Sequence, residues 1–108
     1  MLDEGKLTLA EQDMLQAVTL LAKMGPAGEF RLATTESNLG LIRLRQRKFA
    51  DAERLLTHAL SVEEHLPSRP VNDMAATMDV LAELRQAQRR HAESAQLRSR
   101  AADLRASR

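Results

Sequence analysis

Apolar residues along this 108-residue chain recur every three or four positions rather than every second one, the period of a helix face and not of a strand. Ala10, Met14, Ala17 and Leu21 form one stripe, and Leu32, Thr35, Leu39 and Ile42 a second. Ala52, Leu55, Leu56, Ala59 and Leu60 form a third, and Met74, Thr77, Met78, Leu81 and Leu84 a fourth. The last segment offers only the thin line Leu97, Ala101 and Leu104. Two clusters of helix breakers interrupt the pattern, Met24-Gly25-Pro26-Ala27-Gly28 and Leu66-Pro67-Ser68-Arg69-Pro70, because proline lacks the backbone donor and glycine admits positive φ. The pattern predicts helices over 8–24, 29–46, 49–65, 72–88 and 91–106, the first opened by a capping box at Thr8-Leu9-Ala10-Glu11. The joints at 47–49 and 89–91 are short enough to force their flanking helices into antiparallel hairpins. The expectation is an all-α chain of about five helices forming a single domain over 1–108.

The chain also repeats itself. A shift of 42 superposes Ala33, Thr35, Leu39, Arg43, Gln46, Arg47, Ala50, Leu55 and Ala59 on Ala75, Thr77, Leu81, Arg85, Gln88, Arg89, Ala92, Leu97 and Ala101. These nine identities fall within the 31 positions from 33 to 63 without a gap. A backward shift of 42 places Lys48, Ala52, Glu53 and Ala59 on Lys6, Ala10, Glu11 and Ala17, and Pro67–Pro70 on Gly25–Gly28. The chain therefore divides into a half repeat (5–28) and two helix-pair repeats, 29–70 and 71–108.

Leu39-Gly40, Ala52 and Ala59 are spaced as the small residues that let paired helices approach closely, and Phe49 opens the second helix. This arrangement resembles the tetratricopeptide repeat (TPR). The next repeat keeps Leu81-Ala82 and Ala101, with His91 and Ser94 in place of Phe49 and Ala52; the half repeat keeps Leu7, Ala10 and Ala17. The 42-residue period, Ala33-Thr34-Thr35-Glu36-Ser37-Asn38-Leu39-Gly40 and Lys48-Phe49-Ala50-Asp51-Ala52-Glu53 are similar to the kinesin-light-chain type of TPR, common also in bacterial proteins. The chain departs from the family at Glu36 and Met78, where larger residues are usual, and at Arg43 and Arg85, where an aromatic is usual. The loop proline is also displaced, with Asn72 at its expected position and Pro70 two earlier. These departures predict looser packing in the final repeat.

The resemblance implies a right-handed superhelix of antiparallel hairpins, an α-solenoid whose concave face is lined by first helices and binds a peptide or partner helix. Carried over position by position, that face presents Thr34, Ser37, Asn38, Leu41, Leu44 and Arg45 from one helix, and Asp79, Val80, Glu83 and Gln86 from the next. Asn38 stands where the family often places an amide that reads a ligand's backbone. Arg45 is placed to meet a carboxylate. The carboxylate clamp of chaperone-binding members is not matched, because Asp79 and Glu83 bring negative charge. The expected function is a protein–protein interaction module, not an enzyme, needing no cofactor or metal.

Composition agrees and narrows the alternatives. Leucine (18) and alanine (17) dominate, aromatics make up 2% and cysteine is absent, so neither a disulfide framework nor a thiolate site is available. No apolar run reaches the length of a membrane span, and the first fifteen residues carry acids, unlike a signal peptide. A cytoplasmic protein without membrane contact is expected, and 13 arginines against 3 lysines hint at a GC-rich genome. His58 and His65 lie two turns apart, about 10 Å along one helix, too far to share a metal. Adjacent acids such as Asp3-Glu4 and Glu63-Glu64 diverge around a helix, and the latter pair sits unfavourably near a C-terminus.

The net charge of +1 hides a division: seven arginines against Glu93 and Asp103 make residues 85–108 strongly basic. That stretch reads as a polar C-terminal cap, the rival reading being a basic nucleic-acid-binding domain; no aromatic interleaves the arginines to stack on bases. A third reading is a passive oligomerisation or spacer segment of a larger bacterial signalling protein. At the other end, the helix over 8–24 lacks a hairpin partner. Leu15, Val18 and Leu20 widen its apolar surface, which predicts docking onto another copy or onto upstream repeats.

Overall fold

The computed structural model describes residues 4–107, with side chains from Leu9 onward. Five α-helices account for most of it: α1 (Glu4–Lys23), α2 (Glu29–Arg45), α3 (Phe49–His65), α4 (Val71–Ala87) and α5 (His91–Ala106). One 3₁₀ turn, Gly25–Gly28, joins α1 to α2. No strand occurs among the described residues, and none of their helices is long and apolar enough to cross a membrane.

The 42-residue period of the sequence recurs in the structure. The starts of α2 and α4 lie 42 apart (71 − 29), as do those of α3 and α5 (91 − 49) and the ends of α2 and α4 (87 − 45). The hairpin joints repeat as well. Arg47 (φ 61°) and Arg89 (φ 62°) adopt the left-handed conformation. Their amides and those that follow bond back to Leu44 and Arg43 in one joint and to Gln86 and Arg85 in the other. This doubled closure satisfies carbonyls that the helix end would otherwise leave open.

One expectation fails at α1. Its helix begins at Glu4 and not at Thr8, so Thr8 is a helical residue and no capping box forms. The Glu11 carboxylate, expected to reach back to the cap, instead accepts hydrogen bonds from Arg43 and Gln46 on α2. Inside the helix no free cap amide remains for Glu11, and the polar partners on the neighbouring helix engage its carboxylate.

Helix α3 packs across both α2 and α4, which also touch each other, while α1 lies against α2 and α5 against α4. The core formed by these contacts comprises Leu44, Ala52, Leu56, Leu60, Met74, Ala75, Met78, Leu81, Leu84 and Ala101. The third and fourth apolar stripes are buried throughout. In α5, by contrast, Ser94 and Ala101 are buried while Leu97 and Leu104 are only half-buried, in line with the thin stripe of its sequence.

Gly40 sets the closest approach of α2 to α3: a Cβ added there would stand 2.7 Å from Leu56 Cγ. In the next hairpin the same positions hold Ala82 and Arg98, a pair that lets the larger residue in because the branched leucine is gone. Gly40→Ala should therefore lower stability by about 1 kcal/mol, an overpacking cost of about 1–3 kcal/mol partly offset by about 1 kcal/mol of helix propensity. Urea unfolding checks this, and in a Leu56→Ala background the penalty should vanish.

Candidate binding face

Two side-chain links hold α2 and α4 together. Ser37 Oγ lies 3.1 Å from Thr77 Oγ1, and Arg45 Nη1 donates to Glu83 Oε2 at 3.0 Å. The links occur in the same order along both helices, so α2 and α4 run parallel, side by side. Thr34, Asn38, Leu41 and Arg45 follow one another at four-, three- and four-residue intervals, a straight stripe along α2. Asp79, Glu83 and Gln86 make the corresponding stripe on α4.

These eight residues differ in how available they are. Arg45 and Glu83 neutralise each other; with side chains 52% and 42% exposed, this pair is worth about 0–1 kcal/mol and opens readily. Asp79 is engaged from behind by Arg105 of α5 at 2.7 Å. His91 Nδ1 lies 3.1 Å from Gln86 Oε1. Thr34 Oγ1 donates to the carbonyl of Phe30 at 3.1 Å, and Ser37 is committed to Thr77. Leu41 is half-buried against the core. Asn38 is exposed, and among the described residues its amide has no hydrogen-bond partner. Leu44, also expected on this face, is buried in the core, and Val80 is half-buried against it.

Behind Ser37 lies a group that the sequence does not announce. Glu63 of α3 is 1% exposed, and Thr77 Oγ1 donates to its Oε1 at 2.8 Å. Burial raises its pKa above the ordinary carboxylate value; the Thr77 hydrogen bond opposes the shift and the nearby Asp73 charge adds to it. Ser37, Thr77 and Glu63 thus tie α2, α4 and α3 at one junction under the face.

A second polar system binds one repeat to the next and was also missed. Arg43 of α2 contacts Glu11 of α1 and donates to Gln46 Oε1 at 3.2 Å, while Gln46 Nε2 donates to Glu11 Oε2 at 2.8 Å. A shift of 42 gives two of these three contacts again: Arg85 of α4 contacts Glu53 of α3 and donates to Gln88 Oε1 at 3.0 Å. The pKa of Glu11 is lowered, chiefly by the Gln46 hydrogen bond; burial, the next-largest effect, opposes this, and the Arg43 hydrogen bond and the Arg43 and Lys48 charges lower it further. Every member of this ladder was among the identities of the 42-residue shift; the signal was a glutamate and an arginine that repeat together.

Among the described residues, no group of three or more His, Cys, Asp or Glu side chains is arranged to hold a metal ion. His58 is half exposed, and its Nδ1 lies 2.7 Å from Oε1 of the buried Glu36. Within the basic C-terminal stretch, Arg85, Arg90 and Arg105 are all ion-paired, to Glu53 and Glu93, to Glu93, and to Asp79. A nucleic acid would have to compete with these carboxylates. Compared with known proteins, the chain matches no family model, no curated protein and no solved structure at a significant level.

Proposed function

We propose that this chain is a protein–protein interaction module, a short TPR-like superhelix that receives an extended peptide or a partner helix on the face formed by α2 and α4. The observation that carries the reading is the pair of parallel first-type helices, 42 residues apart, presenting the exposed Asn38 amide between threonine, leucine and a weak ion pair. An amide supplies two N–H donors and a carbonyl acceptor to a ligand backbone. Arg45 and Glu83, opened by a ligand of either charge, add contacts at the C-terminal ends of the two helices. The face is polar and balanced in charge, which favours an uncharged or mixed peptide over a strongly acidic tail.

Peptides selected from a random display library on the immobilised protein test the reading. Asn38→Ala should weaken the selected peptides by roughly ten-fold, the loss of about 1.4 kcal/mol of hydrogen bonding, while leaving the circular dichroism spectrum unchanged. Arg45→Ala should weaken them less. Selected peptides whose affinity is indifferent to both substitutions would place binding elsewhere.

A further inference from the structure

Three neighbours surround the hydroxyl of Thr77: Glu63 Oε1 of α3 at 2.8 Å, the carbonyl of Asp73 at 3.0 Å and Ser37 Oγ of α2 at 3.1 Å. A threonine hydroxyl has one hydrogen to donate and two lone pairs that accept. One hydrogen among three neighbours leaves few arrangements, and the charge on Glu63 decides among them.

An ionised Glu63 can only accept. The Thr77 hydrogen then goes to it, because a charge-assisted bond is stronger than one to a carbonyl already engaged in the ladder of α4. Ser37 must give its own hydrogen to Thr77, and Ser37 Oγ keeps only lone pairs for any further partner. A protonated Glu63 donates to Thr77 instead, which frees the Thr77 hydrogen to reach Ser37. The hydrogen of Ser37 is then available to a third group. Ser37 is half-buried, next to the exposed Asn38, so that third group approaches from the α2–α4 face.

The packing leaves Glu63 able to hold either state. Helix α3 touches α2 and α4 among the described elements. From α4 comes Asp73, whose negative charge, like burial, disfavours ionisation of Glu63. From α2 comes Glu36, beside Ser37 in sequence and held by His58 of α3. On α3 itself the neighbouring Glu64 is exposed. None of these is a cation fixed on the Glu63 carboxylate.

We propose that Glu63 is a positioning residue that sets, through Thr77, whether Ser37 offers a hydrogen to a ligand carbonyl or a lone pair to a ligand N–H. The selection rests on α2 and α4 forming the binding face; the relay beneath that face does not. With Glu63 protonated, Ser37 takes a carbonyl without losing its bond to Thr77. With Glu63 ionised, taking a carbonyl breaks that bond. A ligand carbonyl and the proton on Glu63 therefore favour each other.

NMR of the intact chain between about pH 4 and about pH 8 tests the relay with no ligand present. The Ser37 Cβ resonance should titrate with the same midpoint as the Glu63 carboxyl. Thr77→Val, which keeps the shape of the side chain, should flatten the Ser37 response while Glu63 still titrates, and Thr77→Ser should restore it. The selection is read with a peptide lacking Asp, Glu and His, selected on the immobilised protein at about pH 4.5. Its affinity should fall about three- to ten-fold by about pH 8, the worth of one hydrogen bond. Ser37→Ala and Thr77→Val should each remove most of that fall. A Ser37 resonance blind to Glu63, or one that follows it equally in Thr77→Val, overturns the relay. A fall in affinity that survives Thr77→Val overturns the selection, and so does a peptide indifferent to Asn38→Ala and Arg45→Ala, which places binding off this face even where the two resonances titrate together.

Discussion

Arg85→Ala is expected to lower the free energy of unfolding by about 2–3 kcal/mol, while Arg45→Ala changes it by less than about 0.5 kcal/mol. Both arginines are ion-paired to a glutamate on another helix, so a count of salt bridges does not separate them. Burial does. The Arg85 side chain is 13% exposed, and its guanidinium holds Glu53 of α3, Glu93 of α5 and Gln88 at the end of its own helix. Arg45 is 52% exposed and holds Glu83 alone. Removing Arg85 strips the methylene stem from the packing between three helices and leaves two carboxylates facing a site with reduced access to water. Those carboxylates are about half exposed and can turn outward, which keeps the loss below the 3–5 kcal/mol of a fully buried pair. Arg85→Met retains the stem and should recover about half of the loss. A double-mutant cycle with Glu53→Gln should show a coupling of about 1–2 kcal/mol in urea unfolding. Equal costs for Arg85→Ala and Arg45→Ala would mean that the ladder does not join the repeats.

The same ladder shows where sequence reading stops. The boundaries of α2, α3, α4 and α5 were legible to within a residue, because glycine, proline and short polar joints punctuate a strong three–four pattern and the period of 42 checks one boundary against another. Arg43 and Arg85 were visible too, as a repeat identity and as departures from an aromatic position, but not as ion-pair partners. Their meaning depends on Glu11 and Glu53, 32 positions earlier, and only the packing of each repeat on its predecessor brings the two together. Thr8-Leu9-Ala10-Glu11 misled for the same reason: a local motif was read without the α2 arginine that claims its glutamate. Asn38 and Arg45 were placed together by the family resemblance, and their seven-residue spacing keeps them on one helix stripe, whereas the capture of Asp79 by Arg105 required knowing how α5 lies on α4.

Glu63 is the sharpest case, and its titration should be measurable. In sequence it is one of two adjacent acids near the end of a helix; in the fold it is sealed beneath Thr77 and Ser37. In the unfolded chain it ionises near the ordinary value of 4.5, while in the folded chain burial moves ionisation to higher pH. Between these two values the folded state binds more protons than the unfolded state, so this residue's contribution to stability falls as pH rises through that window. Below about 4.5 the contribution is complete. Glu11 works in the opposite sense, its lowered pKa giving stability that is lost as pH falls. Glu63→Gln keeps an acceptor for the Thr77 hydroxyl and removes the charge. The variant should melt above the wild type at pH 8, by about 4–8 °C for each kcal/mol released in a domain of this size. The two should converge near pH 4.5. Asp73→Asn, which removes the neighbouring negative charge, should narrow the gap at pH 8. A gap that does not change between pH 4.5 and 8 would mean that Glu63 is ionised with equal ease in the folded and unfolded chain, and that the junction of α2, α3 and α4 is wetter than its packing implies.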